Sequence, residues 1–257
     1  MTTRIGIVGI AGRMGRLLAE EVPAAGAILV GGAGRPGAEP NGPAPAMFSD
    51  LATLAAASDV VIDFTHASAV QGNAATLRDA GVPWVLGTSG LSAEDEAAVA
   101  AAAGRIPVVY AANFSPGVNL VLAVAEKMGA ALPAESYDAE IVEMHHRQKV
   151  DAPSGTAIGI GRAVAKGRGT TLESVMESGR DGHTGPRKTG AIGFAALRGG
   201  QVVGEHTLIF AAGNEHIALT HRAFDRRAFA SGAVRAALWV KGRVPGLYSM
   251  AHVLEMT

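Results

Sequence analysis

One stretch of this chain concentrates reactive side chains: Glu143-Met144-His145-His146-Arg147-Gln148-Lys149-Val150-Asp151-Ala152-Pro153-Ser154-Gly155-Thr156. Two histidines and a lysine stand just ahead of a helix start. Histidine is the side chain most readily tuned to deliver a proton near neutral pH. Lys149 adds a fixed positive charge or a second proton donor. Pro153 stiffens the approach, Ser154 is the predicted N-cap, and the amides of Gly155 and Thr156 follow at the helix N-terminus. Such an end attracts a carboxylate, and a glycine lets it come close. The predicted chemistry is proton donation to an acidic small molecule held in the same place.

A second chemical feature lies at the front. Gly9-Ile10-Ala11-Gly12-Arg13-Met14-Gly15 falls between an apolar run and a helical pattern. Glycines there let backbone N–H groups approach a pyrophosphate, and the helix N-terminus favours its charge. The spacing is G-x-x-G-x-x-G, with Ala11 at the usual second glycine, so the motif rests on its strand–turn–helix context. About 20 residues on, a carboxylate usually holds the ribose 2′-hydroxyl. Here Gly32-Ala33-Gly34-Arg35-Pro36 offers none. Arg35 matches a phosphate instead, which predicts that NADPH is used at least as well as NADH. The loops Gly87-Thr88-Ser89-Gly90 and Ala111-Ala112-Asn113-Phe114 follow two further apolar runs, where ribose and nicotinamide contacts are made in such sheets.

These groups need a scaffold. Short β-branched runs at 5–8, 27–32, 59–64, 83–86 and 106–110 read as buried strands. Helical patterns at 13–22, 69–80 and 93–103 separate them, and 35–46 reads as loop. Strands alternating with helices argue for an α/β, doubly wound parallel sheet. After Asn113-Phe114-Ser115-Pro116-Gly117 the pattern changes. A helix is predicted over 119–132, and 137–146 alternates. Ala139, Ile141, Glu143 and His145 share one face, Glu140, Val142, Met144 and His146 the other. The two adjacent histidines therefore hold different roles. Runs at 192–197, 201–211 and 216–222 read as strands of a smaller α+β domain with an antiparallel or mixed sheet. Ala212-Gly213-Asn214 supplies the turn between the last two. A final helix over 228–240 is expected to pack back on the first domain.

Composition narrows the function classes. The chain has 257 residues and a net charge of −1, so no global field favours nucleic acid or an anionic membrane. It has no cysteine, which excludes disulfides, thiolate metal sites and cysteine nucleophiles. No run of about 20 apolar residues is present, and the N-terminus lacks a signal-peptide layout, so a cytoplasmic protein is expected. No metal is expected: Glu143-x-His145-His146 is not the His-Glu-x-x-His helix pattern. The remaining histidines, His66, His183, His206, His216, His221 and His252, are scattered singly and are expected to be structural or exposed.

These motifs resemble the 4-hydroxy-tetrahydrodipicolinate reductase (dihydrodipicolinate reductase) family over nearly the whole length. The segment 143–157 carries most of the resemblance. The turn 9–15, Val61-Ile62-Asp63-Phe64-Thr65, Gly87-Thr88-Ser89-Gly90, Ala112-Asn113-Phe114-Ser115, Val203-Gly204-Glu205-His206-Thr207 and Ala233-Val234-Arg235-Ala236-Ala237 follow in the family's order. The resemblance implies a Rossmann-type dinucleotide-binding domain over 1–115 and 226–257, and a mixed-sheet substrate-binding and oligomerisation domain over 116–225. It implies NAD(P)H-dependent reduction of a cyclic dicarboxylate in lysine and diaminopimelate biosynthesis by a cytoplasmic homotetramer. His145 would donate the proton and Lys149 assist. His146, Gly155 and Thr156 would hold substrate. Gly9, Ile10, Ala11, Gly12, Arg13, Met14, Arg35, Gly87, Thr88, Ser89, Ala111, Ala112, Asn113 and Phe114 would hold NADPH or NADH. Two departures stand out: Gly34 replaces an acid found in several relatives, and Ser89 replaces a threonine. A semialdehyde dehydrogenase is excluded by the missing cysteine, and the intact His145/Lys149 pair argues against a nonenzymatic NADPH-binding regulator.

Overall fold

The computed structural model describes residues 2–34 and 46–256, which divide into two compact units. The first comprises Met1–Pro116 and Arg226–Thr257, the second Gly117–Asp225. In chain order the first unit begins with β1 (Arg4–Val8), α1 (Arg13–Ala24), β2 (Ile28–Ala33), α2 (Leu51–Ala57), β3 (Val60–Asp63), α3 (Val70–Ala80), β4 (Trp84–Leu86), α4 (Ala93–Ala103) and β5 (Pro107–Tyr110). The chain then continues through α5 (Pro116–Ala131), β6 (Asp138–His145), α6 (Gly155–Gly167), α7 (Leu172–Val175), β7 (Met176–Ser178), β8 (Ile192–Arg198), β9 (Gly204–Ala211) and β10 (His216–Ala223). The tail adds α8 (Arg227–Val240), β11 (Gly246–Tyr248) and α9 (Met250–Val253).

The first unit is a parallel sheet in the order β11-β5-β4-β3-β1-β2. Its strands alternate between two apolar layers because neighbouring side chains point to opposite faces. Ile5, Ile7, Val60, Ile62, Val85 and Val109 pack with Leu18 and Val22 of α1 and with the alanines of α8. Val8, Val61, Trp84, Leu86 and Val108 pack with Leu54 of α2, Leu77 of α3 and Val99 of α4. Helices on both faces make this a Rossmann-like doubly wound sheet. Local signals set its boundaries. Ser92 and Asp95 close a reciprocal cap at the start of α4, and Gly81, with φ 69°, ends α3. The tail helix comes close because its inward stripe is small. A Cβ at Gly232 would stand 1.8 Å from the Phe114 carbonyl oxygen.

The strand order reverses beside β1: β2 lies on one side of it and β3 on the other. The crevice at the carboxyl ends of β1 and β3 is therefore the expected ligand position in such a sheet.

The second unit has a mixed sheet in the order β10-β9-β6-β8-β7. β9 runs antiparallel to both β6 and β10, whereas β6, β8 and β7 are parallel. On its covered face, Ala139, Ile141, Leu208, Phe210, Ile192 and Phe194 pack with Val121 and Ala125 of α5 and with Ala157, Ile160 and Val164 of α6. Several short elements, α2, β7, β11 and α9 among them, have no counterpart in the sequence expectations. Each has three to seven residues, too few to display a period.

Candidate active site

In the second unit, β6 carries an apolar-to-polar gradient along one face. Ala139 and Ile141 are buried in the core, and Glu143 and His145 are buried beyond them. The neighbouring β9 runs the opposite way, so its inward residues Gly204 and His206 lie beside the polar end of β6. Glu143 pairs directly with His206 across the antiparallel ladder, and His145 pairs with Arg198 across the parallel one. A polar cluster thus forms at one end of an otherwise apolar sheet face.

The Glu143 carboxylate is its hub and is 1% exposed. His145 Nδ1 lies 2.5 Å from one carboxylate oxygen. Arg198 donates to both oxygens at 2.8 Å. The Ser154 N–H donates to Oε1 at 3.1 Å, tying the start of α6 to the same group. Burial works against the Glu143 charge, but the Arg198 and His145 hydrogen bonds outweigh it and hold the carboxyl below its ordinary value. A buried carboxylate with both oxygens engaged is stable only while these partners remain.

His145 is 8% exposed. Burial lowers its pKa from the usual imidazole value, Lys149 and Arg198 add to that, and Glu143 opposes it. The His206 ring meets the His145 ring edge-on at 5.0 Å, and its Nε2 lies 3.0 Å from the Ser154 hydroxyl. Ser154 caps α6 by accepting the Ala157 N–H at 3.2 Å. Of the two outcomes expected for His206, structural or exposed, the buried one holds, but the ring does not stand alone: it adjoins His145. The signal was present as the alternation Gly204, His206, Leu208, Phe210, but it becomes informative only once β9 is paired with β6. Arg198 had no local signal at all.

Burial, and then the charge of His145, push His206 down to about 4. Its folded pKa lies below the unfolded value of about 6.5, so the unfolded chain takes up the proton first as pH falls. The stabilising effect of keeping His206 neutral is complete above about pH 6.5 and is lost progressively between there and pH 4, by on the order of 3 kcal/mol. Melting temperatures over this range are expected to fall more steeply for the native chain than for His206→Gln. Equal slopes for the two would contradict the assignment.

The other expected residues of this unit are close in sequence but differently engaged. Lys149 is ion-paired with Asp151, at 2.8 and 2.9 Å to its two oxygens. His146 leaves β6, donates its N–H to the Val202 carbonyl at 2.8 Å, and keeps Nδ1 buried without a partner among the described residues. Gly155 is exposed, and a Cβ added there would meet nothing within 4 Å. Thr156 is half-buried in the first turn of α6.

In the first unit, a cleft of about 900 Å³ opens at the carboxyl ends of β1 and β3. Gly9, with φ +79°, turns the chain there, and its N–H donates to the Ala33 carbonyl at 2.8 Å. Gly12 begins α1 with no side-chain cap, so the first-turn amides of Arg13 and Met14 are not met by one. Gly9, Ala11 and Gly12 line the cleft together with Phe64, Thr65 and His66. A left-handed glycine, a second glycine and an uncapped helix start fit a dinucleotide pyrophosphate.

Several expected cofactor residues have side chains committed elsewhere. Ile10 is a core residue, and a Cβ at Gly32 would strike it at 2.5 Å. Phe114 is 1% exposed and packs tilted against Phe64 at 5.6 Å. Thr88 is buried and donates to the Thr65 carbonyl at 3.0 Å. Any contact from Ile10 or Phe114 to a ligand is through main chain. Gly87 admits the Phe64 ring, which a Cβ there would meet at 2.3 Å. Ser89 and Ala112 are exposed, Ala111 is half-buried, and the Asn113 side chain accepts the Ser115 N–H at 2.8 Å. Gly87–Ser89 and Ala111–Phe114 follow β4 and β5, which are neighbours. Arg35 lies outside the described residues, as does most of the predicted loop 35–46. Thr65, quoted above only for the family resemblance, and His66, expected to be structural or exposed, line the cleft, as do Asp50 and Leu51, which were not singled out. The last two sit at the start of α2, the helix that sequence periodicity does not reveal. Among the described residues no cluster of three or more His, Asp or Glu side chains suits a metal ion, and no helix is long and apolar enough to cross a membrane.

The chain is similar to known proteins over nearly its whole length. The family model described as dihydrodipicolinate reductase, N-terminus, matches residues 3–114, and that described as dihydrodipicolinate reductase, C-terminus, matches residues 117–254. A 4-hydroxy-tetrahydrodipicolinate reductase of Granulibacter bethesdensis is 70% identical over 256 residues, covering 98% of this chain and 97% of its own. One from Acidiphilium cryptum is 63% identical over 253 residues, covering 98% of each. Among solved structures, a dipicolinate-bound dihydrodipicolinate reductase from Paenisporosarcina sp. TG-14 superposes with a TM-score of 0.78 at 27% identity, covering 97% of this chain and 98% of that one. The chain belongs to the dihydrodipicolinate reductase family.

Proposed function

We propose that His145 is the proton donor of this reductase, with Lys149 assisting and His146, Gly155 and Thr156 holding the substrate. The reaction is reduction of 4-hydroxy-tetrahydrodipicolinate to tetrahydrodipicolinate in lysine and diaminopimelate biosynthesis, and it depends on a pyridine nucleotide. The observation that carries the residue assignment is the buried Glu143 carboxylate binding His145 Nδ1 beside the start of α6. When bound, the reduced nicotinamide supplies a hydride. Once the 4-hydroxyl has left as water, hydride addition to the resulting conjugated imine leaves electron density on the substrate, and an adjacent imidazolium neutralises it by giving up a proton. The substrate is a small dicarboxylate. Its carboxylates compete with Asp151 for the Lys149 ammonium and engage the open start of α6 at Gly155 and Thr156. Dipicolinate, a flat dicarboxylate that the Paenisporosarcina enzyme binds, is expected to inhibit competitively with substrate.

The cofactor assignment is Gly9, Ile10, Ala11, Gly12, Arg13 and Met14 at the pyrophosphate, Gly87 to Ser89 and Ala111 to Phe114 nearer the nicotinamide, and Arg35 at the ribose. With Gly34 in place of an acid and Arg35 next to it, NADPH is used at least as well as NADH. The first unit binds the dinucleotide and the second binds substrate and associates as a homotetramer in the cytoplasm. The test is oxidation of NADPH and NADH, at one ionic strength, driven by freshly made product of dihydrodipicolinate synthase. Turnover with both, and no disadvantage for NADPH, is expected. A strong preference for NADH removes the role of Arg35, and oxidation of neither removes the function.

A further inference from the structure

A buried glutamate and a half-buried arginine stand beside the histidine, and proton donation alone does not require them. Which ring nitrogen of a histidine carries its proton is set by the partner of the other nitrogen. His145 Nδ1 is engaged by the Glu143 carboxylate, and its Nε2 has no hydrogen-bond partner among the described residues. Gly204, on β9, leaves room at that nitrogen: a Cβ there would stand 3.0 Å from Nε2. Glu143 is in turn clamped by both terminal nitrogens of Arg198, whose guanidinium also donates to the carbonyls of Leu197 and Asp151. Two strands and a loop thus fix the carboxylate on the ring.

We propose that Glu143, held by Arg198, is a positioning residue that keeps the Nδ1–H of His145 in place, so that Nε2 is the nitrogen that delivers the proton. This deepens the assignment of His145 and rests on it. In the step, the Nε2–H bond breaks and its electron pair stays on nitrogen. The proton bonds to the substrate atom made basic by hydride addition. The ring is left neutral with its Nδ1–H still on Glu143, and solvent restores the proton afterwards. Glu143 never becomes the donor. Its charge favours the imidazolium before transfer, and its position fixes the tautomer after it.

The charged and titratable groups around the ring are Glu143 on the same strand, Arg198 on β8, His206 on β9, and Lys149 with Asp151 on the following loop. Burial and the two cations disfavour the imidazolium, and Glu143 is the group that opposes them. In Glu143→Gln the opposition disappears. The alkaline limb of the kcat/KM profile is then expected to move to lower pH by about one unit or more. Turnover should fall at least roughly tenfold, while KM for the dicarboxylate changes by less than about threefold. A merely structural role through Ser154 and the start of α6 would raise KM and leave the limb in place.

An unmoved limb, whatever the turnover, overturns the proposal. Should Glu143→Gln not fold, the histidine ¹⁵N spectrum of the native enzyme decides. Neutral His145 protonated on Nδ1 supports the proposal, and neutral His145 protonated on Nε2 overturns it. The two readings fail separately. Full turnover in His145→Ala removes the proton donor itself. Lost turnover in His145→Ala beside an unmoved limb in Glu143→Gln removes only the positioning role.

Discussion

His145→Ala lowers kcat by roughly 10²-fold or more, the usual consequence of losing a general acid. The imidazole is the protonatable group that Glu143 and Arg198 orient, and alanine supplies no replacement. The loss should appear in kcat and kcat/KM together, because the lost interaction acts on the transition state rather than on ground-state binding. Cofactor affinity should be unchanged, since the glycine turn belongs to the other compact unit. Steady-state kinetics with direct measurement of NADPH binding tests both halves. Turnover within a few-fold of the native value would remove His145 from the mechanism. The cavity left beside His206 should also lower stability, so turnover is best measured well below the melting transition.

Gly15→Ala should have the opposite signature. A Cβ at Gly15 would stand 2.3 Å from the Gly9 carbonyl oxygen and 2.5 Å from the Ile10 Cα. Both obstacles are main chain of the turn itself, so no side-chain rotation relieves them. Either α1 moves away from β1 or the turn opens, and both disturb the surface offered to a pyrophosphate. We expect NADPH to bind about tenfold or more weakly. The overpacking should cost about 1–3 kcal/mol of stability, which lowers Tm by several degrees in a chain of this size. Once cofactor is saturating, kcat should recover towards the native value, because the Glu143, His145 and Arg198 cluster is untouched. Native NADPH affinity in Gly15→Ala would show that the turn tolerates the methyl group and that its close packing is not what shapes the cofactor site.

Much of the molecule could be read from local pattern. The period-2 alternation of 137–146 put Glu143 and His145 on one face with Ala139 and Ile141, and the structure shows that face to be the buried one. The helix over 93–103 was legible from its alanine-rich pattern, and the acidic first turn and the Ser92/Asp95 cap found in the structure agree with it. Ser154 was legible as a cap because capping depends on residues two or three positions away, not on distant ones. Elements of three to seven residues escaped because a period cannot be counted over so short a run.

Local chemistry is therefore what the sequence alone determined here: the strand and helix pattern of both units, the glycine turn at the end of β1, and the His145–Lys149–Ser154 segment that carries the family resemblance. Only the tertiary structure decided what surrounds that segment. His206 and Arg198 lie 61 and 53 residues beyond His145 in the chain, and they reach it because β9 and β8 flank β6 in a particular register. Likewise, only packing showed that the Phe114 and Ile10 side chains serve the core. The physical reason is the same in each case. Propensity and capping act over a few residues, whereas strand register and the burial of a charge are properties of the assembled sheet.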